Sequence, residues 1–103
     1  MNSELLKSVF QDELDRTKRL IQRYESELET LPKGSVFKRK IGNQEYFYLN
    51  YRDGGKVLSK FLGNAKDFQP DELESKLKRR KELSALLKKM NADKKALEKE
   101  LAK

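Results

Sequence analysis

From Phe10 onward the positions Phe10, Leu14, Thr17, Ile21, Tyr24, Leu28 and Leu31 follow one another at spacings of 4, 3, 4, 3, 4 and 3. That alternation keeps the side chains on one stripe of an α-helix and is the pattern of a coiled-coil seam. A strand, with its period of two, would scatter the same residues over both faces. The residues between them, among them Asp15, Arg16, Lys18, Arg19, Arg23, Glu25 and Glu27, suit a solvated face. A helix is therefore expected over residues 3–31, ended by Pro32 and Gly34, because Pro disfavours helical geometry before it and Gly permits a turn.

After Gly34 the pattern changes to three short stretches rich in β-branched and aromatic residues, Val36–Ile41, Glu45–Tyr51 and Lys56–Leu62. Gly42-Asn43 and Asp53-Gly54-Gly55 separate them, and such residues tolerate hairpin turns. An up-down-up antiparallel sheet is expected over 36–62. Pro70 followed by Asp71 and Glu72 marks the start of a second helix, where a missing amide donor is tolerated and the helix dipole favours negative charge. Its stripe is Leu73, Leu77, Leu83, Leu87, Met90, Leu97 and Leu101, with Arg80 and Lys94 in seam positions, and it is expected over 70–102. The fold class is α+β: a long helix, a three-stranded antiparallel sheet and a second long helix, the two helices forming an antiparallel coiled-coil-like hairpin.

Composition bears on size and partners. With 103 residues of which 36% are hydrophobic and 40% charged, a single domain with a thin core and an elongated shape is expected. The 24 Lys+Arg and 17 Asp+Glu leave a net charge of +7, which attracts polyanions over long range. Residues 1–32 carry −2, residues 33–63 carry +5 and residues 64–103 carry +4. The basic character thus belongs to the sheet and the second helix.

The chain has no Cys and no His, so disulfides, thiolate metal sites and the usual general base near neutral pH are all missing. Its serines have no histidine to activate them, and no Gly-rich phosphate loop precedes a helix. No catalytic activity, cofactor or metal is expected. The first residues lack the basic start and apolar run of a signal peptide, and no stretch is long enough for a membrane span. A cytoplasmic location without membrane attachment follows as an expectation.

The middle strand alternates Tyr46, Tyr48 and Asn50 with Phe47, Leu49 and Tyr51. If Asp53-Gly54-Gly55 is a three-residue loop, Tyr51 faces Val57 and Phe47 faces Phe61. Lys56, Leu58 and Lys60 then join the tyrosine side, and Lys38 and Lys40 add to it from the first strand. A two-residue loop would mix the faces. Lysines neutralise phosphates and tyrosine rings stack on bases, so this group suits nucleic acid. The competing reading is that the tyrosines pack under a helix while the lysines keep the sheet soluble. A second basic run, Lys76, Lys78, Arg79, Arg80 and Lys81, continued by Lys88, Lys89, Lys94 and Lys95, offers a track along a phosphate backbone or simply a solvated helix face.

The segment Gly34-Ser35-Val36-Phe37-Lys38-Arg39-Lys40-Ile41-Gly42, followed by Glu45-Tyr46-Phe47-Tyr48-Leu49-Asn50-Tyr51-Arg52-Asp53-Gly54-Gly55-Lys56 and Ser59-Lys60-Phe61-Leu62-Gly63, resembles short uncharacterised proteins of phages and other mobile elements. More loosely, it resembles the three-stranded arm-binding domains of tyrosine recombinases. That resemblance implies a sheet laid in the major groove of DNA, with Lys38, Lys40, Tyr46, Tyr48, Lys56 and Lys60 as contacts. This chain differs in placing a heptad helix before the sheet.

The expected function is non-enzymatic binding of nucleic acid, DNA or RNA, by Lys38, Lys40, Tyr46, Tyr48, Lys56 and Lys60 on the sheet and Lys78, Arg79 and Lys81 on the second helix. The alternative is a protein-interaction module, for example a phage-encoded inhibitor docking on a host nucleic-acid-binding protein. The unmatched seam is expected to recruit a second copy, giving a homodimer.

Overall fold

The computed structural model describes residues 3–103. Helix α1 spans Ser3–Glu29, strand β1 Ser35–Ile41, β2 Gln44–Asp53, β3 Lys56–Asn64, and helix α2 Asp71–Leu101. The protein is α+β, with the sheet between two long helices in sequence and its strands in the order β1-β2-β3, both pairings antiparallel. Helix α1 ends two residues before the expected Leu31. There the Thr30 amide and hydroxyl both donate to the Glu27 carbonyl, at 3.0 and 2.7 Å, tightening the last turn and taking up a carbonyl that continued helix would leave to a later amide. Helix α2 starts where Pro70 allows: the Glu74 amide donates to the Pro70 carbonyl at 2.8 Å. Asp71, Glu72 and Glu74 lie in the first turn, against the positive end of the dipole. Among the described residues, no helix is long and apolar enough to cross a membrane.

The chain forms two compact units. In the first, α1 packs against the part of α2 beyond Glu82. The seam positions Leu14, Thr17 and Ile21 are buried, as are Leu83, Leu87 and Met90. Ile21, Leu87 and Met90 form one cluster, against which Leu20, Tyr24 and Leu28 pack. A hollow nearer the other end is lined by Glu13 and Thr17 from α1 and by Asp93, Leu97 and Glu100 from α2. Later residues of α1 therefore meet earlier residues of α2, and the two run antiparallel. The alternation read from the sequence is the packing seam, with Lys94 half-buried at its place in the stripe, where a long stem can lie along apolar surface while the ammonium reaches water.

The second unit, Leu31–Lys81, holds the sheet and the first turns of α2. Leu49 and Leu77 are its buried apolar residues. After β3 the chain turns sharply: the Asn64 carbonyl accepts from the Asp67 and Phe68 amides, and its side-chain Oδ1 from the Lys66 amide at 2.9 Å. This turn brings Phe68 onto Phe47, ring centroids 5.8 Å apart. Gly63 lets it come that close, since a Cβ there would stand 2.9 Å from the Phe68 Cβ. Arg80, in a seam position of α2, is half-buried and donates from Nη1 to the Leu31 carbonyl at 2.9 Å.

Candidate nucleic-acid interface

Both hairpin turns are two residues long. Ile41 pairs with Gln44 across Gly42-Asn43, and Asp53 pairs with Lys56 across Gly54-Gly55. The second corrects the expected three-residue loop. Gly54 and Gly55 have φ of 57° and 84°, the consecutive positive values that a tight two-residue hairpin demands and that glycine adopts without strain. Asp53 is thereby left in the strand.

The change of one residue in the second loop exchanges the faces of β3, and the two-residue Gly42-Asn43 turn sets those of β1, because strand side chains alternate with a period of two. Tyr48 pairs with Phe37 and Phe61, Tyr46 with Arg39, Asn50 with Ser35 and Ser59, and Arg52 with Val57. These residues form one face. Lys38 pairs with Phe47, Lys40 with Glu45, Lys56 with Asp53 and Lys60 with Leu49, so the four lysines belong to the opposite face, the one that carries buried Leu49. The sheet does not bring Lys38, Lys40, Lys56 and Lys60 together with Tyr46 and Tyr48 as expected. A register irregularity between Phe47 and Tyr48 leaves Leu62 as the extra residue of β3 and keeps Tyr46 opposite Asn64.

The lysines are exposed nonetheless, since they stand on the two edge strands and their stems reach water around the covered centre. The Lys38 ammonium lies 3.3 Å from the Glu45 carboxylate and 5.5 Å from the centre of the Phe47 ring. Charge on both edges also discourages pairing with another sheet.

The tyrosine face is a connected aromatic surface. Phe37 stacks on Tyr48 at 5.4 Å with an interplanar angle of 21°, and Phe61 meets Tyr48 edge-on at 5.7 Å. Phe61 also contacts Tyr46 at 5.9 Å. Each such pair contributes about 0.5–1.5 kcal/mol beyond simple burial, and together they hold the rings in fixed positions. The surface is open: Phe61 is 57% exposed, Val57 61% and Ile41 52%. Its charged members are Arg39 and Arg52, both exposed. The two carboxylates of the strands, Glu45 and Asp53, stand on the other face with the lysines they oppose. Phe37, Phe61, Arg39 and Arg52 were not among the expected contacts; the signals that point to them are the alternation of β2 for Arg52, the two-residue Gly42-Asn43 turn for Phe37 and Arg39, and the two-residue Gly54-Gly55 turn for Phe61.

The helical candidates are separate from this surface in sequence. Lys78, Arg79 and Lys81 are exposed on α2, and nearby Lys76 pairs with Glu72 at 3.4 Å.

The family described as Domain of unknown function (DUF6788) matches residues 10–75, covering most of α1, the whole sheet and the start of α2. No curated protein and no solved structure matches the chain.

Proposed function

Since the chain belongs to this family, whose description names no activity, we propose from its geometry that it binds nucleic acid through the tyrosine-bearing face of the sheet. One observation carries this reading: a connected group of four aromatic rings, half-buried Phe37, Tyr46 and Tyr48 with exposed Phe61, shares its face with two arginines and with no carboxylate of the strands. Phe61 stands in water beside exposed Ile41 and Val57, and contiguous open apolar surface on a small protein commonly marks a binding site. Guanidinium groups bind phosphate in a bidentate fork and stack on bases. The net charge of +7 supplies long-range attraction for the same polyanion. The lysines of the opposite face add to that field without making the specific contacts.

The test is fluorescence anisotropy with labelled DNA and RNA at two salt concentrations. The double variant Arg39→Gln/Arg52→Gln should weaken binding and flatten its salt dependence, while the quadruple variant with Gln at positions 38, 40, 56 and 60 should lower affinity less and alter the salt slope less. The opposite ranking would move the interface to the lysine face. Exposed Ile41 and Val57 favour a second reading, in which a protein docks on the same surface. Absence of binding to every nucleic acid tested would leave that one standing.

A further inference from the structure

We infer that the nucleic acid is single-stranded, that its bases lie on the four rings, and that a backbone phosphate sits in a hollow at one end of the same face. The inference rests on the proposed binding face and narrows what that face takes.

Ring faces can stack only on bases whose own faces are open, and in a duplex those faces are buried against neighbouring base pairs. Tyr46, Tyr48, Asn50 and Arg52 project from one side of β2 at every second residue, a repeat of about 6.8 Å. That is close to the step of an extended nucleotide chain. Phe37 and Phe61 widen the platform on either side of Tyr48.

The polar end of this row opens into a hollow of 410 Å³ lined by Lys33, Gly34, Ser35, Asn50, Arg52 and Val57, together with Tyr51. Lys33 and Arg52 give it two cations, and none of its lining residues is acidic. The Ser59 hydroxyl donates to the Asn50 Oδ1 at 2.7 Å, so the group Asn50 has to offer a ligand is its Nδ2 donor. The Ser35 hydroxyl is a further donor. Cations and neutral donors around an open hollow suit a phosphate diester. Its position beyond Tyr48 along β2 makes it the next step for a strand whose bases already rest on the rings.

Charge placement argues the same way. Duplex affinity draws mainly on many phosphate contacts, yet this face offers Arg39, Arg52 and the neighbouring Lys33, and the sheet's other four cations lie on its opposite side. Three neutralised phosphates on a single strand correspond to a salt slope of about −2.

The experiment titrates the full chain against short oligo-dT and oligo-rU, neither of which forms internal pairs, and against a mixed-sequence duplex of equal length. Phe37→Leu and Phe61→Leu keep apolar bulk while removing the ring, and circular dichroism verifies that each remains folded. The expected result is single-strand binding about tenfold tighter than duplex, with each ring variant weakening it by about fivefold or more and leaving duplex binding unchanged. Lys33→Gln and Arg52→Gln should each reduce the single-strand slope by about 0.7. Duplex bound as tightly as single strand, with indifferent ring variants, overturns the inference while leaving the proposed face intact if Arg39→Gln/Arg52→Gln still weakens binding. Ring variants that matter beside silent Lys33→Gln and Arg52→Gln overturn the phosphate hollow. Failure to bind either form overturns the proposed function as well.

Discussion

Leu83→Ala is the sharpest probe of the helical packing. Helix α2 carries Leu83, Leu86 and Leu87 within one and a half turns, and hydrophobicity alone does not say which of them face the seam. Leu83 is 0% exposed and is the largest fully buried side chain, whereas Leu86 is 37% exposed. Truncating a fully buried leucine costs about 3 kcal/mol, from lost transfer energy and from the cavity left behind. With a urea dependence of about 1.5 kcal/mol per molar, that moves the unfolding midpoint by about 2 M. Leu86→Ala removes side chain that is already partly in water and gains a little helix propensity, so its cost should stay near 1 kcal/mol. Urea titrations followed by far-ultraviolet circular dichroism measure both, and equal slopes would show that the comparison is one of stability. If Leu83→Ala shifts the midpoint no further than Leu86→Ala, the seam is wrongly placed. Leu14 and Ile21, buried on α1, should behave like Leu83, with losses of about 2–4 kcal/mol on truncation to Ala.

Gly63→Ala should lower stability by about 1–3 kcal/mol, because the added methyl meets Phe68 and forces the turn after β3 off the sheet; thermal unfolding reads the loss, and a neutral result would refute the close approach. Arg80→Ala removes the donor to the Leu31 carbonyl and should cost about 1–2 kcal/mol in chemical denaturation, with Arg80→Lys recovering part of it. A double-mutant cycle on Lys38 and Glu45, whose side chains are 53% and 46% exposed, should return a coupling under about 1 kcal/mol; a much larger value would mean that the pair is shielded from water.

The element order was legible because each element carries its own periodicity or punctuation. Seven positions at 4-3 spacing specify α1, and Pro70 with three acidic residues in the first turn opens α2. The ends were less legible where side chains act on the backbone: the Thr30 hydroxyl, bonded to the Glu27 carbonyl, shortens α1 in a way no apolar pattern reports. Arg80 illustrates the same limit from the other side. Its charge reads as a defect in a stripe, and only the position of the Leu31 carbonyl shows that it has a partner there.

The candidate site was half legible, and the missing half turns on the register of the two hairpins. Tyr46 and Tyr48 share a face under any register, because both lie on β2. Which residues of β1 and β3 join them depends on the parity of two turns. The separation of basic from apolar residues was a poor guide to that parity, because lysine on an edge strand reaches water from either face. Arg52 lies on the tyrosine side by the alternation of β2 itself, Phe37 and Arg39 join it through the two-residue Gly42-Asn43 turn, and Phe61 joins it once Gly54-Gly55 is read as a two-residue turn with both φ values positive. The physics of the site changes with them. A lysine-tyrosine face would hold its ligand mainly by phosphate charge and lose it steeply with salt, whereas an arginine-edged aromatic face holds it through base stacking and tolerates salt better. The salt slope on single strands therefore distinguishes, in solution, binding by the arginine-edged aromatic face from binding by the lysine face.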